Sequence, residues 1–333
     1  MSDPIVLHVL EALQAGGGTG RHVLDIVRHA PGARHEVAVP RRRHGWPPDP
    51  DKLADLEAAG ALLHLVAMRR APAHPGNGLA LRRLRALVRD RRPAIVHGHS
   101  AIGGVLGRLA APDGVARVYT PNGVSTLRPA LLVERALGRR RTDVLVAVSA
   151  GEATMARDLG LVAANRIETI PNGIEPHVEP SDVDLRALLG IPPHAPLVGS
   201  VARLVHQKAP EDFVAVAARV PDAHFVLVGA GPRQRAVERA VHAAGLGTRW
   251  HHIELLPHVD RVLGQLDVFV LTSRFEGGPY TPLEAMRAGT PVVLTDVVGN
   301  RDAAADGRVG LLAPAGDVDG LAAAVSRLLA DDA

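Results

Sequence analysis

Short apolar runs rich in β-branched residues alternate with amphipathic stretches along the whole chain. In the first half, strand-length runs fall at residues 5–10, 35–39, 62–66, 94–97, 117–120 and 143–148. In the second half they fall at 197–201, 224–228, 251–255, 267–271 and 291–295. Several, such as 144–148 and 268–271, are apolar at every position, which suits strands buried on both faces of a parallel sheet. Between them, residues 79–92, 210–220 and 233–244 carry helical periodicity, and Pro210 suits a first helical position. Regular alternation of strand and helix predicts parallel sheets covered by helices on both sides.

The alternation pauses once, at residues 166–180 (RIETIPNGIEPHVEP), where Pro, Asn and Gly cluster. A chain of 333 residues also exceeds what one core usually organises. The expected organisation is two doubly wound domains, 1–170 and 171–333, facing a cleft, with ligands at the carboxyl ends of the strands. The charge balance changes sign at the same place: about +9 for residues 1–170 and −6 for 171–333, within a net +3. Apolar content of 47% excludes a disordered chain. No apolar run approaches the ~18 residues a spanning helix needs. The start, Met1-Ser2-Asp3-Pro4, lacks the basic and apolar segments of a secretory signal. With no cysteine, disulfides and thiolate sites are excluded, and a cytoplasmic setting is the expectation.

The first strand runs into a glycine loop, Gly16-Gly17-Gly18-Thr19-Gly20, with a helix expected from about Arg21. Such a loop lets backbone N–H groups approach an anion. The dinucleotide spacing G-x-G-x-x-G fails here in both registers and again at Gly229-Ala230-Gly231, and no G-x-x-x-x-G-K occurs. In the second half, Glu276 and Glu284 flank a Gly277-Gly278-Pro279 elbow that leads from a strand into a helix. Pro279 is expected in the first helical turn, with the amides of Gly278, Tyr280 and Thr281 available to a phosphate. Arg203 and Lys208 follow another buried strand and suit neutralisation of a diphosphate. Lys208 is one of only two lysines, the other being Lys52. The Asp-x-Asp pairs Asp182/Asp184 and Asp317/Asp319 are candidate metal ligands. Asp317 reads better as a helix cap, and no metal is expected.

Taken together these residues resemble the family 4 retaining glycosyltransferases of GT-B architecture. The resemblance runs through Gly17-Gly18 with His22-Val23, Val96-His97-Gly98-His99-Ser100, Tyr119-Thr120-Pro121, Pro171-Asn172-Gly173-Ile174, the Arg203/Lys208 pair and Leu227-Val228-Gly229. It is most specific in the E-x7-E spacing of Glu276 and Glu284 followed by Gly289-Thr290-Pro291-Val292. The resemblance implies a nucleotide-sugar donor, UDP-linked by expectation. Arg203 and Lys208 would hold the diphosphate, Glu276 the sugar, Glu284 the ribose, and Gly17 and Gly18 the phosphates from the other domain. No cofactor is implied. Asn122 stands where many relatives carry a histidine facing the donor sugar, and Ala209 where glycine is common.

His97 and His99, two apart at a strand end, are read as a polar patch on the acceptor side. Two basic stretches, 79–92 and 128–141, the latter pairing Leu131, Leu132, Val133 and Leu137 with five arginines, suggest weak contact with anionic membranes. Arg41, Arg42 and Arg43 read as a solvated charge run. Two Trp, two Tyr and four Phe leave little for base stacking, so no nucleic-acid partner is expected. The function expected is sugar transfer with retention to an unidentified acceptor: a lipid-linked or polysaccharide precursor, or a small molecule. The expected site is cytoplasmic, at or near the inner membrane face. The alternatives are a catalytically silent nucleotide-sugar-binding or scaffold protein, which Asn122 motivates, and a GT-B sugar-nucleotide epimerase.

Overall fold

The computed structural model describes residues 3–13, 17–41, 48–69 and 74–331; Gly16, Arg42 and Arg43 lie outside them. The chain divides into two compact units, Met1–Pro171 and Asn172–Ala333. The first is built on seven parallel strands: β1 (Ile5–Leu10), β2 (Arg34–Pro40), β3 (Leu62–Val66), β4 (Ile95–His99), β5 (Ala116–Thr120), β6 (Val144–Ala147) and β7 (Ile167–Thr169). Their order is β3-β2-β1-β4-β5-β6-β7. The second unit holds six: β8 (Leu197–Val201), β9 (His224–Val228), β10 (Trp250–Ile253), β11 (Val268–Leu271), β12 (Val292–Thr295) and β13 (Leu311–Ala313), in the order β10-β9-β8-β11-β12-β13. Each sheet begins in its middle, grows to one edge, then restarts beside its first strand. This is the doubly wound arrangement that the alternating pattern predicts.

Because strand side chains alternate, each sheet has two dry faces. In the first unit Leu7 and Val9 pack against Leu84, Val88, Ile102 and Leu106 of helices Gly76–Arg91 and Ser100–Ala110. Leu10, Val37 and Val39 face the opposite way, onto Val23, Leu24 and Val27 of helix Gly18–His29. In the second unit Val198, Phe225 and Val268 meet Phe213 and Leu321, while Leu197, Val226 and Phe269 meet Leu185, Leu263 and Ala285.

The structure departs from the sequence expectation at edges and ends. Strands β7 and β13 were not predicted. Each has three residues at a sheet edge, too short for a periodic pattern, and β7 lies inside the proline-rich stretch read as a linker. The first helix starts at Gly18, not near Arg21, because Gly17 already takes the extended cap conformation. The Asp317 carboxylate accepts from the Gly320 N–H at 2.9 Å, the expected cap, and Asp184 does the same for Ala187 at 3.0 Å.

Helix Ser100–Ala110 lies almost on the backbone of β1 and β4. A Cβ on Gly103 would stand 2.4 Å from the Val9 carbonyl oxygen, and one on Gly98 2.7 Å from Gly104 Cα. Neither contact can relax by a rotamer change, so Gly103→Ala should destabilise the first unit by about 2 kcal/mol or more. A lowered urea midpoint in equilibrium unfolding is the expected reading, and an unchanged midpoint would contradict the packing.

Candidate functional site

In the second sheet β8 and β11 are hydrogen-bonded neighbours, although β9 and β10 intervene in sequence. The loops leaving their carboxyl ends carry most of the residues singled out above. After β8 the chain passes Arg203, forms a 3-10 turn at His206–Lys208, and enters helix Pro210–Arg219 through Ala209. Ala209 sits in the left-handed region (φ +45°), which gives a backbone reason for a glycine there. The loop after β11 is laced to it. Thr272 Oγ1 donates to the carbonyls of Lys208 or Ala209, both at 3.0 Å; the Arg274 N–H donates to the Gln207 carbonyl at 2.7 Å; and Gln207 Nε2 donates to the Phe275 carbonyl at 3.0 Å.

This lacing brings Lys208 Nζ to 2.5 Å from Glu276 Oε1, with the lysine side chain 15% and the glutamate 6% exposed. The sequence reading gave the two residues separate tasks. In the fold they are one ion pair, held where little water screens it. The Glu276 backbone is fixed as well, since its carbonyl accepts from the Gly299 N–H at 3.3 Å. The elbow that follows rests on two residues to which the sequence assigned no role. Asn172 Nδ2 donates to the Gly278 carbonyl at 2.7 Å. Gly299 packs backbone to backbone, since a Cβ there would meet the Gly277 carbonyl carbon and oxygen at 2.6 Å. Pro279 is the cap of helix Tyr280–Arg287, one position earlier than expected, so Tyr280 and Thr281 open its first turn and Glu284 lies buried within it. Arg203, partly buried, shares the β8 loop with Lys208.

In the first unit β1 and β4 are the corresponding neighbours. Gly17 and Gly18 cap and begin the helix that leaves β1, and Thr19 Oγ1 lies 3.0 Å from Ser100 Oγ at the start of the helix that leaves β4. Asn122 adopts φ +53°, a conformation Asn tolerates well, and the adjoining Gly123 N–H donates to Glu152 Oε1 at 2.6 Å. Glu152 Oε2 accepts from Val148 N–H at 2.8 Å. Burial pushes the Glu152 carboxyl above its usual range, against the pull of these two donors.

His97 and His99, expected as a polar patch on the acceptor side, are buried in the structure. His97 is 8% and His99 0% exposed, and both belong to a buried histidine cluster with His8 and His35. Burial, then repulsion from neighbouring histidines, pushes His8 down to about 3 and holds His97 and His99 well below the usual imidazole range, so all three are neutral. No spacing signal marks His8, alone in the otherwise apolar β1, or His35, between Arg34 and Glu36 in β2.

Two doubly wound parallel-sheet domains, each with its chemistry-bearing residues on loops at the carboxyl ends of the two strands where the order reverses, define a GT-B glycosyltransferase fold. Residues 16–178 match the profile of Glycosyltransferase Family 4 and residues 184–333 that of Glycosyl transferases group 1. The chain is 32% identical over 272 residues to the alpha-maltose-1-phosphate synthase of Mycolicibacterium smegmatis, a match covering 71% of this chain and 70% of that one. It is 37% identical over 209 residues to the 2-deoxystreptamine N-acetyl-D-glucosaminyltransferase of Streptomyces fradiae, where the match takes in 60% of this chain and about half (49%) of the relative. The structure of Anabaena HepE in complex with UDP-glucose superposes with a TM-score of 0.82 at 19% identity, over 98% of this chain and 90% of that one. The chain belongs to glycosyltransferase family 4.

The ion pair makes a prediction separate from any activity. Lys208→Met leaves Glu276 charged, mostly buried and unpaired, and should cost the second unit about 2 kcal/mol. Adding Glu276→Gln should recover most of that loss. Urea unfolding of the two single variants and the double variant measures the coupling, and strictly additive effects would contradict the pair.

Proposed function

We propose that the chain transfers a sugar from a UDP-sugar to an acceptor hydroxyl with retention of anomeric configuration. The observation that carries this reading is the convergence of Arg203, the Lys208–Glu276 pair and the Gly277-Gly278 elbow at the carboxyl ends of β8 and β11, in a chain of this family. Arg203 and Lys208 would take the donor diphosphate, joined by the first-turn N–H groups at Tyr280 and Thr281. Glu276 would lie beside the sugar and Glu284 at the ribose hydroxyls. The family resemblance would give Gly17 and Gly18 a phosphate contact and Asn122 a sugar hydroxyl. Cleavage of the anomeric C–O bond sends its electron pair to the departing phosphate oxygen. The acceptor hydroxyl attacks from the same face and passes its proton to that oxygen. Stabilising the leaving group is then the main catalytic term, and two cations with helix-start amides supply it without a metal at the diphosphate.

A screen of nucleotide sugars by thermal shift, followed by assays for transfer and donor hydrolysis, tests the reading. Binding without turnover would favour a silent binding protein, and interconversion of the donor sugar an epimerase. With a turned-over donor, Arg203→Ala and Lys208→Ala should each lower the rate on the order of 10²–10³. Turnover should persist without added Mg²⁺ or Mn²⁺. Glu284→Gln should weaken UDP binding in calorimetry, since a ribose contact acts in ground and transition states alike, whereas Glu276→Gln should chiefly lower kcat. Wild-type rates in both cation variants would overturn the assignment.

For the acceptor we favour a small polyhydroxylated molecule; the Streptomyces fradiae relative, whose name specifies 2-deoxystreptamine, supports this. A second reading, a lipid-linked acceptor met by a cytoplasmic enzyme at the inner membrane face, rests on the helix Arg128–Arg141. Leu127, Leu132 and Val133 are 71%, 67% and 46% exposed beside the exposed Arg128, Arg139 and Arg140. Leu137 is buried and Leu131 packs on the core, so the apolar face is narrower than the sequence suggested. Among the described residues no helix is long and apolar enough to cross a membrane, so any contact would be peripheral. Sedimentation with anionic vesicles at low salt, lost at high salt and in Leu132→Ser with Arg139→Gln and Arg140→Gln, would support the second reading. No sedimentation at low salt would remove it.

A further inference from the structure

The histidine cluster of the first unit has no part in the reaction proposed above. We infer that His8, His97 and His99 form a binding site for a divalent transition-metal ion of the zinc class. His8 on β1 is the register partner of His97 on β4, and His99 lies two residues further along β4, so all three share one face of the sheet. One ring nitrogen from each lies within 4.8 Å of the others. His8 Nδ1 and His99 Nε2 are 3.1 Å apart. Two nitrogens bound to one zinc at about 2.0–2.1 Å in tetrahedral geometry stand about 3.3 Å apart, so this pair is already near its place, with a nitrogen of His97 within 4.8 Å of both.

Hydrogen bonding also sets the protonation that such a site needs. His35 Nε2 lies 3.1 Å from the Ala30 carbonyl, which can only accept, so that nitrogen carries the proton and His35 Nδ1 carries the lone pair. His8 Nε2, 3.0 Å from His35 Nδ1, must therefore be the donor. The lone pair of His8 is thus on Nδ1, aimed at His99. Through two rings, a backbone carbonyl orients a ligand nitrogen toward the cluster, as outer partners do for metal-binding histidines. His97 Nε2 has its own outer partner, the Thr120 hydroxyl at 2.8 Å. With no metal, His99 donates from Nε2 to His8 Nδ1, and a metal ion taking both nitrogens would move that proton to His99 Nδ1.

The donor set selects the ion. All three ligands are imidazoles, and no carboxylate joins the cluster among the described residues. Mg²⁺ and Ca²⁺ require oxygen ligands and do not suit it, whereas Zn²⁺ and Co²⁺ do. Three protein ligands leave a fourth position for water. The ion would join β1 to β4 below helix Gly18–His29, and so brace the first unit where its strand order reverses.

The test uses the full chain freed of metal by dialysis against a chelator, then titrated with Zn²⁺ and with Co²⁺. Expected results are one tightly bound equivalent, a raised melting temperature and the strong visible bands of low-coordinate Co²⁺. His99→Gln and His97→Gln keep a hydrogen-bonding side chain but lose the ring nitrogen, and should each weaken binding at least tenfold. His251→Gln, which disrupts the histidine pair of the second unit (3.3 Å between His224 Nδ1 and His251 Nε2), should leave binding unchanged. Substoichiometric zinc, a weak octahedral cobalt spectrum, or wild-type affinity in both cluster variants would overturn the site. If neither cluster variant folds, the stoichiometry and cobalt spectrum of the unaltered chain decide the question.

Discussion

When every crossover in a parallel sheet has the same hand, the loops leaving two adjacent strands diverge wherever the strand order reverses, and nothing in the sheet itself covers the gap. Both units of this protein are organised around such a reversal, at β1/β4 in the first and β8/β11 in the second. Backbone groups at those strand ends cannot all be satisfied by the ladder, so the loops there are held by side chains and by close glycine contacts. Thr272, Gln207 and Asn172 hold the second unit's loops, and Gly299 lets a helix start pack against the elbow.

The Lys208–Glu276 pair shows the cost of that arrangement. Two mostly buried charges contribute little net stability, since desolvation offsets much of their attraction. Their value lies in orientation, for each keeps the other in one place before any ligand arrives. In the first unit, neutral histidines occupy the corresponding region. An uncharged cluster can be buried without an ion-pair partner, at the expense of an incomplete hydrogen bond on His99.

Composition overstated how much positive charge the first unit presents. Arg108 is 1% exposed. Its guanidinium donates to the Gly104 carbonyl at 2.8 Å and to Glu134 at 2.6 Å, and covers the Tyr119 ring at 3.8 Å from the centroid. Arg91 pairs with buried Glu36 at 2.6 Å, and Arg117 reaches Asp113 at 2.5 Å. Arginine serves here as internal scaffolding as well as surface charge, because its planar fork can satisfy several acceptors at once. Other basic residues of the first unit, among them Arg82, Arg83, Arg128, Arg139 and Arg140, remain exposed.

The sequence by itself determined the parallel α/β class, eleven of the thirteen described strands to within two residues, and the strand-end segments that carry Arg203, Lys208 and Glu276, with Glu284 in the helix that follows. These features are local: buried strands are continuously apolar, and site residues follow them within a few positions. Tertiary structure decided the rest, because the remaining relations join residues far apart in the chain. His8 and His99 are 91 positions apart, Lys208 and Glu276 68, and Asn172 and Gly278 106. Periodicity reports which face a residue occupies and is silent on which residue of another strand stands beside it. Sheet register makes that choice. Here it places two histidines expected on the acceptor side in a buried cluster, and joins two separately assigned charges in one pair.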